Sequence, residues 1–245
     1  MPLDDTPTPE DTVGLLEGIA TTRSIRRYLD EPIPEAVLRD LCFAASRAPT
    51  GSNRQSFRLI VLTDGEIADG AKRLVADGAQ RQWAAKRRND GYESGSGAEA
   101  DSPKARMARS MDAYVEGLAS VPALIFPTLI RHRAATPTEG ASVYPAMQNL
   151  LLAARGLGYG GVVTMWHAPV EAELRALLEI PDEVFVAATV TLGKPAGGHG
   201  PVRRRPLEHF VFDGVWGQSP AWAIDPPGTR HTSAGPPRGT TNEKT

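Results

Sequence analysis

Cysteine is nearly absent: Cys42 stands alone in 245 residues, so no internal disulfide can form. That excludes a disulfide-stapled secreted scaffold. No stretch reaches the roughly 18 uninterrupted apolar residues of a membrane helix, and no membrane partner is expected. Neither sign of charge dominates, with 27 Lys+Arg against 29 Asp+Glu and a formal net charge of -2. Polyanion binding ordinarily needs a clear basic excess, so nucleic acid is not expected as a partner. A small anionic ligand needs only a local cluster. The opening Met1-Pro2-Leu3-Asp4-Asp5 is acidic and lacks the basic-then-apolar order of a signal peptide. The expected location is cytoplasmic.

Common catalytic signatures are missing too. There is no G-x-S-x-G elbow and no G-x-x-x-x-G-K-[ST] loop. Five histidines, at 132, 167, 199, 209 and 231, show no metal-ligand spacing with acids or cysteine, so no metal is expected. Cys42 falls on the apolar stripe of a predicted helix, which suits a buried structural thiol rather than a nucleophile. His167, after Trp166, reads as either a pocket residue or a structural one.

What is present is an ordinary globular composition, 41% hydrophobic and 23% charged. Residues 1–11 and 217–245 read as tails, and the last twenty residues have almost no large apolar side chain to offset the entropy of ordering. Between them, helices are predicted over Thr12–Thr22, Pro34–Arg47, Ile67–Asp77, Val143–Arg155 and Glu171–Glu179 from apolar residues at three/four spacing. Strands are predicted at Phe57–Thr63, Ala123–Ile130, Val162–Trp166 and Val184–Leu192, with a weaker one at Leu207–Phe212. Pro127 suggests an edge or a bulge for the second strand. Residues 79–110 have few apolar anchors and read as an irregular insertion: a lid, a binding loop, a disordered segment or a solvated excursion. The sum is an α+β fold with a mixed or antiparallel sheet covered by helices.

Gly156-Leu157-Gly158-Tyr159-Gly160-Gly161 matches G-x-G-x-x-G letter for letter. A dinucleotide site needs that loop to follow a strand and open a helix. Here it follows a helix and precedes a strand, so the Rossmann reading is rejected. Gly156 is expected to cap the helix in the left-handed conformation.

Three segments could carry chemistry. Arg23-Ser24-Ile25-Arg26-Arg27 places a hydroxyl beside guanidinium groups, and Arg203-Arg204-Arg205 repeats the cation content near the other end. Guanidinium forks suit phosphate or another planar anion, but an exposed charge run looks the same. Ala48-Pro49-Thr50-Gly51-Ser52-Asn53-Arg54-Gln55 is rich in groups that donate and accept, suited to a heterocycle edge or to an ordinary turn.

In order along the chain, these segments resemble the FMN-dependent nitroreductase family. Thr22-Arg23-Ser24-Ile25-Arg26-Arg27-Tyr28 is similar to its R-S-x-R-x-[FY] segment, and Ala48 to Gln55 to its A-P-[ST]-x-x-N-x-Q-P-W loop. Gln148 to Ala154, running into Gly156-Leu157-Gly158, resembles the helix before its flavin-edge strand. Leu192-Gly193-Lys194-Pro195 with Arg203-Arg204-Arg205-Pro206-Leu207 resembles its closing element. The resemblance covers about residues 12–216 and departs at Gln55-Ser56-Phe57, where the family has Q-P-W.

The resemblance implies a three-layer fold, an intertwined homodimer and FMN at the subunit interface. Carried over, Arg23, Ser24 and Arg26 bind FMN from one subunit, and Arg203 and Arg205 join at the phosphate. Pro49, Thr50, Gly51 and Asn53 approach the ring from the other subunit. Gly161, Val162, Val163 and Thr164 pass its N5 edge. Gln55, Phe57 and Trp166 are candidates for a substrate pocket. The implied activity is hydride transfer from NAD(P)H through the flavin to a nitroaromatic or quinone in ping-pong order, with no catalytic side chain required. A flavin-sequestering protein, or a specialised flavin oxidase or dehalogenase, is the alternative.

Overall fold

The structure is a computed structural model that describes residues 10 and 12–232. Tail expectations for residues 1–9, 11 and 233–245 lie outside the described residues. The chain divides into two compact units between His199 and Gly200.

The first unit runs α1 (Leu15–Thr21), α2 (Glu35–Ser46), β1 (Phe57–Leu62), α3 (Glu66–Asn89), α4 (Pro103–Glu116), β2 (Ala123–Ile130), α5 (Tyr144–Gly156), β3 (Gly160–Thr164), α6 (Glu171–Leu178), β4 (Val184–Val186) and β5 (Thr189–Gly193). Its sheet is wholly antiparallel, in the order β1-β2-β5-β3, with β4 also paired to β2. Period-two alternation along β2 builds the layers. Leu124 and Phe126 enter one core with Val75, Trp83, Tyr114 and Leu174 from α3, α4 and α6. Ala123 and Ile125 enter the other with Val37, Leu41, Met147 and Leu150 from α2 and α5. The sheet is therefore sandwiched between two helical layers, the three-layer arrangement that the family resemblance implied.

Pro127 lies in an interior strand, which corrects the edge expectation. Thr128 pairs with Val186 while Ile125 pairs with Val190, so the partner side holds one extra residue between them. That extra residue is a bulge, and it splits the predicted Val184–Leu192 strand into β4 and β5. The Pro127 carbonyl accepts from the Ala187 amide at 2.9 Å. In an antiparallel ladder N–H and C=O of one residue point the same way, so the missing donor faces the interruption. The bulge half of the expectation holds.

Residues 79–110 are mostly helical, not irregular. α3 continues well past Asp77 because Val75, Ala79 and Trp83 extend one buried stripe at four-residue spacing. Lys86, Arg87 and Arg88 suit its C-terminal turn. Ser102 then caps α4, its Oγ accepting from the Ala105 amide at 2.9 Å, with Pro103 in the first turn. Trp83 Nε1 and Arg87 both donate to Asp112, locking α3 to α4.

The glycine run is as the order of elements demanded, helix first and strand second. Its left-handed residue is Gly158 (φ 81), however, and Gly156 stays helical. The Gly158 amide donates to the Arg155 carbonyl and the Tyr159 amide to the Ala154 carbonyl, the paired bonds of a Schellman cap. In the second unit, the predicted Leu207–Phe212 strand is a 3-10 turn at Leu207–His209, capped where the Asp225 carboxylate accepts from the Leu207 amide. A side-chain acceptor from further along the chain there replaces a strand partner.

Close backbone approach positions α3 against the turn that follows β3. A Cβ at Gly78 would collide with the Trp166 carbonyl, whereas one at Gly198 would meet open space. Gly78→Ala gains about 1 kcal/mol of helix propensity but forces a helix off a backbone carbonyl, an overpacking cost of about 1–3 kcal/mol or more. The expected outcome is a net destabilisation of about 1–2 kcal/mol, read by denaturant unfolding, with Gly198→Ala unchanged.

Candidate functional site

The basic segment after α1 is extended and held from both sides. The Ile25 amide donates to the Gly161 carbonyl on β3 at 3.0 Å. On the other side the Leu29 amide donates to Lys194, the Ala196 amide to Arg27, and Arg23 Nη2 to the Gly198 carbonyl at 3.0 Å. Ile25 is buried, which leaves Arg23 and Ser24 exposed.

β3 is an edge strand. Since the Gly161 carbonyl points away from β5, strand alternation turns the backbone N–H and C=O of Val163 the same way, to the open edge. Gly161 and Val162 are buried, Val163 is 36% exposed and Thr164 is half-buried, its hydroxyl donating to the Thr189 carbonyl. Gly161 must be small, since a Cβ there would stand 2.5 Å from the Thr191 carbonyl.

Arg26 is half-buried and its Nε is buried with no hydrogen-bond partner. It lines a cleft of about 400 Å³ with Tyr28, Asp30, Tyr114 and Ser120. Behind it lies a polar chain that sequence reading missed. Tyr28 Oη donates to the Ile25 carbonyl at 2.7 Å. A phenol has one proton, so the Thr191 hydroxyl donates to Tyr28 Oη at 2.8 Å, and Tyr114 Oη donates to Thr191 Oγ1 at 2.6 Å. Burial pushes the Tyr114 phenol up to about 12 and Tyr28 further, against the pull of Arg26 and the Thr191 hydrogen bond. Both phenols stay protonated. Thr189 and Thr191, two hydroxyls inside an apolar strand, were the available signal, because a buried hydroxyl needs a partner.

The loop after α2 is exposed, with Thr50 half-buried, and unusual in its backbone. Ser52, Asn53 and Gln55 all have positive φ, between 50° and 52°, uncommon for residues other than glycine. The Gln55 amide donates to Thr50 Oγ1 and the Gly51 amide to Ser142 Oγ. The Gln55 side chain bonds to Asn53, so it is turned onto its own loop. Pro49 is exposed. Phe57, a pocket candidate, is half-buried against the α2–α5 core. Trp166, the other, is 8% exposed and packs on Tyr114 at 5.0 Å between ring centroids, so it belongs to the core. Arg203 and Arg205 are exposed and belong to the second unit, where the Thr232 amide donates to the Arg204 carbonyl.

Among the described residues there is no group of three or more His, Cys, Asp or Glu placed to hold a metal, and no helix long and apolar enough to cross a membrane. A family model described as the Nitroreductase family matches residues 19–194. The chain belongs to the nitroreductase family. It is 29% identical over 209 residues to an NADH dehydrogenase of Thermus thermophilus, covering 78% of this chain and 91% of that one. In structure it is similar to the FMN and NADPH-dependent nitroreductase NfnB of Sphigopyxis sp. strain HMH, with TM-score 0.61, 21% identity and coverage of 83% and 100%. It is also similar to an iodotyrosine deiodinase bound to FMN and 3-iodo-L-tyrosine, with TM-score 0.59, 20% identity and coverage of 78% and 95%. These likenesses agree with the three-layer arrangement of this nitroreductase-family chain.

Two expected outcomes follow from the buried polar groups of this nitroreductase fold. Thr191→Val strands the buried Tyr114 hydroxyl at a cost of about 1–3 kcal/mol, and Thr191→Ser retains the chain; urea unfolding separates the two. The second concerns histidine. Burial holds His167, bonded to Thr189 Oγ1 at 3.0 Å, below its ordinary range. Burial does the same for His199, which faces the Tyr159 carbonyl, with Arg155 and Arg23 adding to the shift. With folded pKa values depressed, the unfolded chain takes up protons first as pH falls below about 6.5. Stability is therefore present above that pH and lost below it. Unfolding midpoints between pH 7.5 and 5 should fall for the wild type and flatten for the His167→Asn/His199→Gln double variant.

Proposed function

We propose that the chain is a cytoplasmic FMN-dependent oxidoreductase that passes hydride from NAD(P)H to an electron-poor small-molecule acceptor, such as a nitroaromatic or quinone, in ping-pong order. Membership of the nitroreductase family carries the oxidoreductase class. When bound, FMN supplies the two-electron chemistry that no side chain here can supply.

The observation that carries the reading is Arg26. A buried guanidinium nitrogen without a partner is costly, and the side chain that carries it lines a cleft on the segment stitched to the sheet edge. Its donor chemistry fits a carbonyl or anionic acceptor, such as the pyrimidine side of a flavin. Arg23 and Ser24 would hold the phosphate, and the family resemblance adds Arg203 and Arg205 as candidates for the same role. Gly161, Val162, Val163 and Thr164 would offer the free edge of β3 to the ring, Val163 through its outward N–H. Pro49, Thr50, Gly51 and Asn53 would reach the ring of a second copy. A homodimer is further supported by α1, where Leu15 (71%), Leu16 (80%) and Ile19 (52%) present an apolar face to solvent.

The test is an absorption spectrum of the pure protein under argon, before and after each nicotinamide nucleotide. The expected result is a yellow protein that bleaches with NADH or NADPH. A colourless protein that takes up no FMN would overturn the cofactor reading. Bound flavin that neither nucleotide reduces would overturn the reductase and leave the sequestering role.

A further inference from the structure

A second cleft, of about 170 Å³, lies between the loop after α2 and the turn after β2. Its charged lining is Arg54, Arg131, Arg133 and Glu139, with His132 beside them. Three guanidinium groups against one carboxylate leave a local excess of two positive charges, on a chain whose net charge is -2. The carboxylate is already committed. Arg131 Nε and Nη2 donate to both oxygens of Glu139, at 2.9 and 2.6 Å, and Arg131 holds the Glu139 carboxyl below the ordinary range. Arg131 also lies 4.7 Å from the centroid of the Phe185 ring. That pair stiffens the turn and takes no further ligand. The guanidinium groups of Arg54 and Arg133, by contrast, have no hydrogen-bond or ion-pair partner among the described residues.

Two further observations point the same way. Uncharged donors, the hydroxyls of Ser56, Thr136 and Ser142 among them, share the lining. The wall that carries Arg54 is the loop with three non-glycine residues at positive φ. Such outliers are strained and gather at ligand clamps. Here two of them, Asn53 and Gln55, flank Arg54 directly.

We infer that this cleft binds an anionic group, a carboxylate or phosphate, through Arg54 and Arg133. The inference rests on the proposed function in one respect: Gly51 lines this cleft and belongs to the loop assigned there to the flavin ring. The anion is thus carried by a molecule that docks beside that ring. Two sources share the chemistry, a 2′-phosphate on the hydride donor and an acidic group on the acceptor.

Calorimetric titration of the full-length protein with adenosine 2′,5′-bisphosphate and with 4-nitrobenzoate needs no flavin turnover, so it reads the cleft even if the flavin reading fails. The wild type should bind one of the two, and the Arg54→Gln/Arg133→Gln double variant should bind it about tenfold more weakly. Steady-state kinetics assigns the source. A KM raised about tenfold for NADPH but not NADH identifies the phosphate, and one raised for 4-nitrobenzoate but not for neutral 4-nitrobenzamide identifies the acceptor. Thermal melting should be unchanged, because both side chains are exposed. Equal binding by wild type and double variant, or no binding of either probe by the wild type, would overturn the inference.

Discussion

One main-chain hydrogen bond, from the Ile25 amide to the Gly161 carbonyl, ties the basic segment to the open edge of the sheet. Gly161 permits it by lacking a Cβ beside β5, and Ile25 anchors it by burying its side chain. With Ile25 inward, its neighbours Ser24 and Arg26 are set on either side of the anchor. The Tyr114–Thr191–Tyr28 chain ends on the carbonyl of that same residue, so helix α4 and strand β5 both brace the one peptide on which Arg23, Ser24 and Arg26 depend. Backbone and buried hydroxyls, rather than the cations themselves, set where the positive charge stands.

The electrostatics divides into committed and uncommitted cations. Arg87 pairs with Asp112 and Glu93, Arg131 with Glu139 and Arg175 with Glu171. These pairs close turns and join helices. Arg26, Arg54 and Arg133 line clefts, Arg26 with a buried and unpartnered Nε, Arg54 and Arg133 with guanidinium groups that meet no acid among the described residues. In a chain with almost no net charge, that uneven distribution is what distinguishes candidate ligand positions from structural ones.

Element types were widely legible where burial is one-sided. The stripe Val143, Ala146, Met147, Leu150 and Ala154 gave α5, and the run Phe57–Thr63 gave β1 to within a residue. The order of helix, glycines and strand sufficed to reject a dinucleotide loop. Misreadings came where long-range geometry outweighs local pattern. α3 was cut short because Lys86, Arg87 and Arg88 look like loop composition, although their solvated face backs onto a buried Trp83. Leu207–Phe212 ends in an apolar run that reads as a weak strand but has no ladder partner among the described residues of its unit. The structure buries Trp166 against Tyr114, a placement that its own neighbours in sequence do not signal.

Periodicity, turn chemistry and motif order follow from residues within a few positions of one another, so the amino-acid string alone was enough for the layers, the antiparallel-compatible sheet and the list of basic segments. Which cations are quenched depends on acids far along the chain, and so does the partner of each buried hydroxyl. Arg87 meets Asp112 and Tyr28 meets Thr191 only after the helices close on the sheet. Burial removes water as an alternative partner, and that three-dimensional fact sorted the guanidinium groups into braces and candidate anion sites.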